Sequence, residues 1–191
     1  LMGTFSSFFS HHISTMEGGC ILTDNEEIHH ILLSIRAHGW TRNLPNSNYV
    51  TGEKSKNSFE EAFKFVLPGY NVRPLEMSGA IGSEQLKKLK DFVFERRQNA
   101  AYFVNKFENI KNIQIQKEIG SSSWFGFSII LNNDANIKRS ELLTELEKNN
   151  IEVRPIVTGD FTKNKEVLEY FDFEIHGKLE NAKKLDSNGF F

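Results

Sequence analysis

Ser6-Ser7-Phe8-Phe9-Ser10-His11-His12-Ile13-Ser14-Thr15-Met16-Glu17-Gly18-Gly19 gathers two imidazoles, several hydroxyls and two glycines between runs of strand-forming residues. Residues 3 to 10 mix aromatics with serine and threonine, and Cys20 to Thr23 is a short β-type run, so two strands are predicted with a polar turn from His11 to Gly19 between them. Asp24 followed by Glu27 has the form of a capping box. Ile28, Ile31, Leu32 and Ile35 then supply the apolar stripe of a helix that Gly39 closes. Such a strand, turn, strand and helix can present polar side chains to a ligand.

Further along, Pro45-Asn46-Ser47-Asn48, Gly52 and unpatterned charges predict a long, partly mobile loop over residues 40 to 62. Pro74 suits the first turn of a helix. A second, longer helix is expected to carry Leu89, Phe92, Val93, Ala100, Phe103, Val104 and Phe107. Ile113 to Gln116 and Trp124 to Leu131 are strand-like runs about the turn Gly120-Ser121-Ser122. A helix over 139 to 148 and a strand over 151 to 154 follow. The order implies an α/β to α+β fold with a small α+β lobe after the long helix.

Composition excludes several classes of function. The 191 residues are 39% hydrophobic, enough for one compact domain with a core and a small second lobe. Basic and acidic residues number 23 and 25, so no excess of positive charge is available to neutralise a nucleic-acid backbone. Cys20 is the only cysteine, and no apolar run approaches the roughly 20 residues that cross a bilayer. A soluble, cytoplasmic protein that binds neither nucleic acid nor membrane is expected. Leu1 opens within a strand-like run and Phe191 closes at the start of an apolar one, so a segment of a longer chain is expected at both ends.

Chemistry is concentrated in the histidine turn. An imidazole, with an ordinary pKa of about 6.5, both takes and gives a proton near neutrality, which suits His11 or His12 to general-base work. Paired histidines at a turn are also common as plain surface residues. They are poor metal ligands here, since no second cluster of His, Cys or Asp stands at ligand spacing, and no metal is predicted.

The turn resembles the cofactor-lysine loop of the DegT-type sugar aminotransferase family, which binds pyridoxal phosphate. That loop runs serine, aromatic, three variable residues, lysine, and later glutamate-glycine-glycine. Ser6 matches the serine and Glu17-Gly18-Gly19 the closing triplet, and both counts set His11 at the lysine position. Ser7 stands where relatives usually carry an aromatic, and Met16 where a glycine is common. Gly69-Tyr70-Asn71-Val72-Arg73 is similar to the family's glycine-tyrosine-asparagine-x-arginine segment. By itself that stretch is a loop entering a helix at Pro74. Arg36 to Pro45, Ser123 to Phe127 and Arg154 to Gly159 resemble the family's dehydratases and fall in the family's order.

The resemblance implies the later part of an aspartate-aminotransferase-like (fold type I) enzyme. Residues 1–108 would end the large cofactor-binding domain, with a connecting loop and long helix, and 109–191 would form an incomplete small α+β domain. It implies pyridoxal or pyridoxamine 5′-phosphate held non-covalently by Ser6 and by Asn71 of a neighbouring subunit in a homodimer with a shared active site, and His11 as catalytic base. The implied reaction removes the 3-hydroxyl of a GDP-linked 4-keto-6-deoxyhexose, with L-glutamate as amino donor and release of ammonia. His38, Arg42, Phe63, Glu152 and Arg154 are the implied contacts to the nucleotide-sugar. Arginine's fork of donors suits a diphosphate. Taken singly, Arg42, Glu152 and Arg154 also suit a solvated surface, His38 a helix C-terminus and Phe63 a core. The family's earlier half, with the aspartate that pairs the pyridine nitrogen, lies outside this chain, so these residues alone are expected to be inactive. A related dehydratase class with histidine at the lysine position carries an iron-sulfur cluster, for which Cys20 alone is too few thiolates. A sugar aminotransferase is disfavoured because no lysine lies between Leu1 and Gly52. A non-catalytic lobe for dimerisation or nucleotide binding is the remaining alternative.

Overall fold

The computed structural model describes all residues, Leu1–Phe191. Helix and sheet are mixed, as an α/β to α+β fold requires, and the chain divides into two compact units, Leu1–Phe92 and Val93–Phe191. The division falls inside a long helix, ahead of the boundary expected after residue 108.

In the first unit, β1 (Met2–Ser6) pairs antiparallel with β2 (Gly19–Thr23), setting Met2 opposite Thr23 and Ser6 opposite Gly19. The strand expected over 3–10 therefore stops at Ser6. Serines there spend their hydrogen bonds locally, which favours a turn over continued pairing. Helix α1 (Glu26–Ile35) follows, and its cap is Asn25 rather than Asp24: the Ile28 N–H donates to Asn25 Oδ1 at 2.9 Å. Glu26 and Glu27 face the positive end of the helix dipole. Beyond the helix, His38 (φ 65°) and Gly39 (φ 79°) reverse the chain.

Residues 40–62 are not a structureless loop. They hold a short hairpin, β3 (Ser47–Asn48) with β4 (Gly52–Glu53), and the single-turn helix α2 (Ser58–Glu61). Buried Asn48 accepts from the N–H groups of Val50 and Thr51 at 3.0 and 2.8 Å. This order comes from side chains bonding to nearby backbone, which leaves no hydrophobic period in the sequence. Helix α3 (Glu76–Phe107) is one continuous 32-residue helix where two were expected. Gly79 and Gly82 weaken a helix by only about 1 kcal/mol each and do not break it. A Cβ at Gly82 would lie 3.1 Å from Thr15 Cγ2, so the missing side chain lets the helix approach the histidine loop.

The second unit centres on an antiparallel sheet in the order β5 (Ile113–Ile115), β6 (Ile129–Leu131), β7 (Gly189–Phe190). Ala100, Phe103 and Trp124 form its core, with Phe103 stacked on Phe127 at 4.5 Å and on Phe107 at 4.8 Å. Arg96 fastens the chain beside Trp124 by donating to its carbonyl at 2.7 Å. Trp124 itself takes a left-handed backbone (φ 51°), which is why the strand expected from residue 124 begins only at Ile129. Helix α4 (Arg139–Lys148) lies where it was predicted, and α5 (Lys165–Leu168) and α6 (Glu180–Asn188) follow. No strand forms over 151–154. Arg154 alone exchanges two backbone hydrogen bonds with Phe191, at 2.7 and 2.8 Å, and one such pair does not make a ladder.

Candidate active site

The histidine turn spans the open end of the β1–β2 ribbon, where two backbone bonds draw it together: Ser7 N–H to the Gly18 carbonyl and Thr15 N–H to the Ser7 carbonyl, both 2.9 Å. Ser7 is buried and its Oγ lies 2.7 Å from Thr15 Oγ1. A hydroxyl pair thus fills the place where the family pattern has an aromatic. Met16 takes φ 72°, the conformation a glycine adopts without strain, which accounts for the glycine usual there. Neither departure disturbs the contact between Ser6 and His11. Ser6 Oγ lies 3.2 Å from His11 Nδ1, and Ser6 Oγ also accepts from the Phe8 N–H at 3.4 Å. The half-buried His11 meets the Phe8 ring edge-on at 6.0 Å, and its backbone N–H donates to the Phe8 carbonyl at 2.9 Å. A serine oxygen can accept both N–H groups. In that arrangement the proton sits on Nδ1 and the basic lone pair on Nε2.

A second constellation forms where residues 36–41 run beside residues 64–72. Val66 N–H donates to the Gly39 carbonyl and His38 N–H to the Tyr70 carbonyl, both at 2.8 Å. Thr41 N–H donates to the Lys64 carbonyl and Val72 N–H to the Arg36 carbonyl, both at 3.0 Å. Two glycines allow the approach. A Cβ on Gly39 would lie 1.6 Å from the Leu67 carbonyl oxygen, and one on Gly69 2.1 Å from the Gly39 nitrogen. The pairing sets Asn71 against Ala37 and Phe65 against Trp40, so Asn71, His38, Arg42 and Phe63, far apart in sequence, share one region of the first unit. All four are exposed in this chain, Phe63 at 71%. The Arg42 guanidinium lies 3.7 Å from the centre of the Trp40 ring and 5.8 Å from that of Phe63.

Glu61 locks this region from below. Its carboxylate accepts from Ser55 N–H and from Thr41 Oγ1, both at 2.8 Å, and pairs with Lys64 at 3.1 Å. The Ser55 amide above all, then the Thr41 hydroxyl, with Lys64 adding to them, hold its pKa down from 4.5 to about 2. Glu152 and Arg154 lie in the second unit. There they form an exposed ion pair, with Arg154 Nη2 2.7 Å and Nε 3.0 Å from Glu152 Oε1. Sequence reading assigned no role to Trp40, Thr41, Glu61 or the Ser7–Thr15 pair. Trp40 and Arg42 stand two residues apart, but Thr41 is a bend and Arg42 opens a turn, so no periodic pattern in the sequence pairs their side chains.

With the turn's geometry established, comparison with known proteins decides the family. The model of the DegT/DnrJ/EryC1/StrS aminotransferase family matches residues 1–190. The chain belongs to the DegT/DnrJ/EryC1/StrS aminotransferase family. A family member from Escherichia coli O55:H7, GDP-4-keto-6-deoxy-D-mannose 3-dehydratase, is 64% identical over the whole chain, which covers 49% of that protein. The solved structure of the E. coli dehydratase with bound hydrated PLP superposes with a TM-score of 0.94 at 64% identity, over all of this chain and 49% of that one. A structure of a variant GDP-4-keto-6-deoxymannose-3-dehydratase with bound GDP-perosamine superposes equally well, TM-score 0.94 at 63% identity, over all of this chain and 50% of that one. The chain thus spans about half the length of the family members it matches. No helix in it is long and apolar enough to cross a membrane.

Proposed function

We propose that the full-length protein to which this chain belongs is a pyridoxal-phosphate-dependent 3-dehydratase acting on GDP-4-keto-6-deoxymannose. The observation that carries this reading is His11, held against Ser6 at the position where the family's pattern has the cofactor lysine. Whole-chain identity of 64% to a 3-dehydratase supports the substrate.

The donor set fits the cofactor. The first lysine of the chain is Lys54, so no amine in this loop can hold the cofactor covalently, and binding falls to the Ser6 hydroxyl and, from a second subunit, the Asn71 amide. Both are suitable partners for phosphate oxygens. When bound, the cofactor supplies an amine for the sugar's 4-keto carbon and a ring that accepts electrons. Ser6, whose Oγ lies 3.2 Å from His11 Nδ1, would orient it, and with the ring proton on Nδ1 the Nε2 of His11 would serve as the base for the proton at the cofactor's C4′ carbon. Departure of the 3-hydroxyl and hydrolysis then give a 3,6-dideoxy-4-keto sugar and ammonia. Conversion of a C–OH to a C–H is a two-electron reduction, balanced by oxidation of L-glutamate to 2-oxoglutarate. Arg42 provides a fork of donors for the diphosphate and His38 a further polar contact. Phe63 covers an apolar face of the base or sugar, and Glu152 with Arg154 contributes from residues 109–191, the small domain of the complete enzyme.

The test supplies the full-length protein with pyridoxal phosphate, glutamate and GDP-4-keto-6-deoxymannose, and measures ammonia and the deoxygenated sugar. One ammonia per dideoxy sugar is expected. An amino sugar formed without ammonia would make the protein an aminotransferase, and absence of both products would leave it a non-catalytic lobe.

A further inference from the structure

We infer that Trp40 is a positioning residue for the nucleotide diphosphate, acting through Arg42. This rests on the reading above that Arg42 contacts the diphosphate. Arg42 is a long, flexible side chain on an exposed segment, and none of the ion pairs of the structure engages it. What holds it is aromatic: its guanidinium carbon sits 3.7 Å from the centre of the Trp40 ring, well within cation–π range. A guanidinium held through its face rather than its N–H groups keeps its in-plane donors for two anionic oxygens. An arginine already committed to a carboxylate would have to give up that partner first.

The surroundings fix Trp40 for this task. Phe65 stacks on its ring at 5.3 Å with 16° between planes, and Phe63 lies at 5.4 Å. Backbone pairing ties Trp40 to Phe65, and the fully buried Thr41 between Trp40 and Arg42 is anchored to Glu61 by its hydroxyl at 2.8 Å. The residue type also argues for the role. Trp40 Nε1 is shielded from solvent with no hydrogen-bond partner, a penalty that a phenylalanine there would avoid. The indole provides in exchange the aromatic face that binds cations best.

The experiment is a double-mutant cycle in the full-length protein, with GDP as probe and equilibrium binding as readout: Trp40→Leu, Arg42→Ala and both together, with Trp40→Phe alongside. Trp40→Leu keeps apolar bulk and removes the π face, and is expected to weaken GDP binding about three- to tenfold when Arg42 is present and less than twofold when it is not. Trp40→Phe, which keeps a π face and removes the orphan donor, should retain most of the affinity. In turnover, the Trp40→Leu loss should fall on KM with kcat nearly unchanged. Equal losses from Trp40→Leu with and without Arg42 would mean ordinary packing, and no loss at all would also overturn the role, while the Arg42 contact stands in either case. Arg42→Ala without effect on GDP would instead remove that contact and the inference with it. Should Trp40→Leu fail to fold, the same cycle run with Trp40→Phe decides: a small loss confined to proteins with Arg42 supports the role, and a loss independent of Arg42 overturns it.

Discussion

Replacing Gly39 by alanine tests how the candidate site is assembled, because Gly39 is where residues 36–41 and 64–72 meet. Two effects combine. A non-glycine residue at φ 79° incurs about 1–2 kcal/mol of backbone strain. The new Cβ would also stand 1.6 Å from the Leu67 carbonyl oxygen, and since that atom is backbone, one of the two segments must move by more than an ångström. The movement strains the bonds Val66 N–H to Gly39 carbonyl and His38 N–H to Tyr70 carbonyl, each worth about 1 kcal/mol net. Together the change should cost about 3–4 kcal/mol of local stability. Gly52 is the control, with nearly the same φ, 78°, and nothing within 4 Å of its Cβ position, so Gly52→Ala should cost only about 1–2 kcal/mol. Native-state amide hydrogen exchange on peptides covering 36–42 and 64–72 gives the local reading. Gly39→Ala should lower protection there about a hundredfold or more, and Gly52→Ala should leave it nearly unchanged. Equal, small effects of the two substitutions would refute the close approach.

Phe103→Ala removes a buried ring stacked between Phe107 and Phe127 and should cost about 3–5 kcal/mol, seen as a lower urea midpoint for the unfolding of the second unit; a change under about 1 kcal/mol would contradict the core assignment. Glu61 sets a pH dependence. Because its folded pKa, about 2, lies below the usual 4.5, its stabilising contribution is present above 4.5 and is lost as the pH falls toward 2. The stability difference between wild type and Glu61→Gln should therefore be constant above about pH 5 and shrink between pH 4.5 and 2. A difference that stayed constant through that window would separate Glu61 from the Ser55–Thr41 network.

How legible the protein was in its sequence depended on the range of the interactions involved. Helix α4 and the strands β1 and β2 were legible because periodicity and β-type composition are local signals. His11 was placed by its spacing from Ser6 and Glu17, and the 3.2 Å contact between Ser6 and His11 spans only five residues. The approach of Gly39 to Gly69 joins segments thirty residues apart through missing side chains, which no pattern reports. The order of residues 40–62 is equally hidden, since Asn48 and Glu61 each gather several hydrogen bonds in stretches with no repeat. Helix α3 is a single helix where Pro74 and the spacing of Leu89 to Phe107 suggested two, since Gly79 and Gly82 within it weaken it by only about 1 kcal/mol each. At the second unit's edge, Ile151 to Arg154 has strand composition but only one residue of partner, Phe191, opposite it.

The proposed dehydration requires His11 to carry a proton where related enzymes use an amine, and ammonia release by the full-length protein with pyridoxal phosphate, glutamate and GDP-4-keto-6-deoxymannose tests this most directly when wild type is set against His11→Asn. Asparagine keeps a polar side chain near Ser6 and has no titratable nitrogen, so kcat should fall about 10²- to 10⁴-fold with GDP affinity retained. Ammonia release by His11→Asn at the wild-type rate would take His11 out of the mechanism.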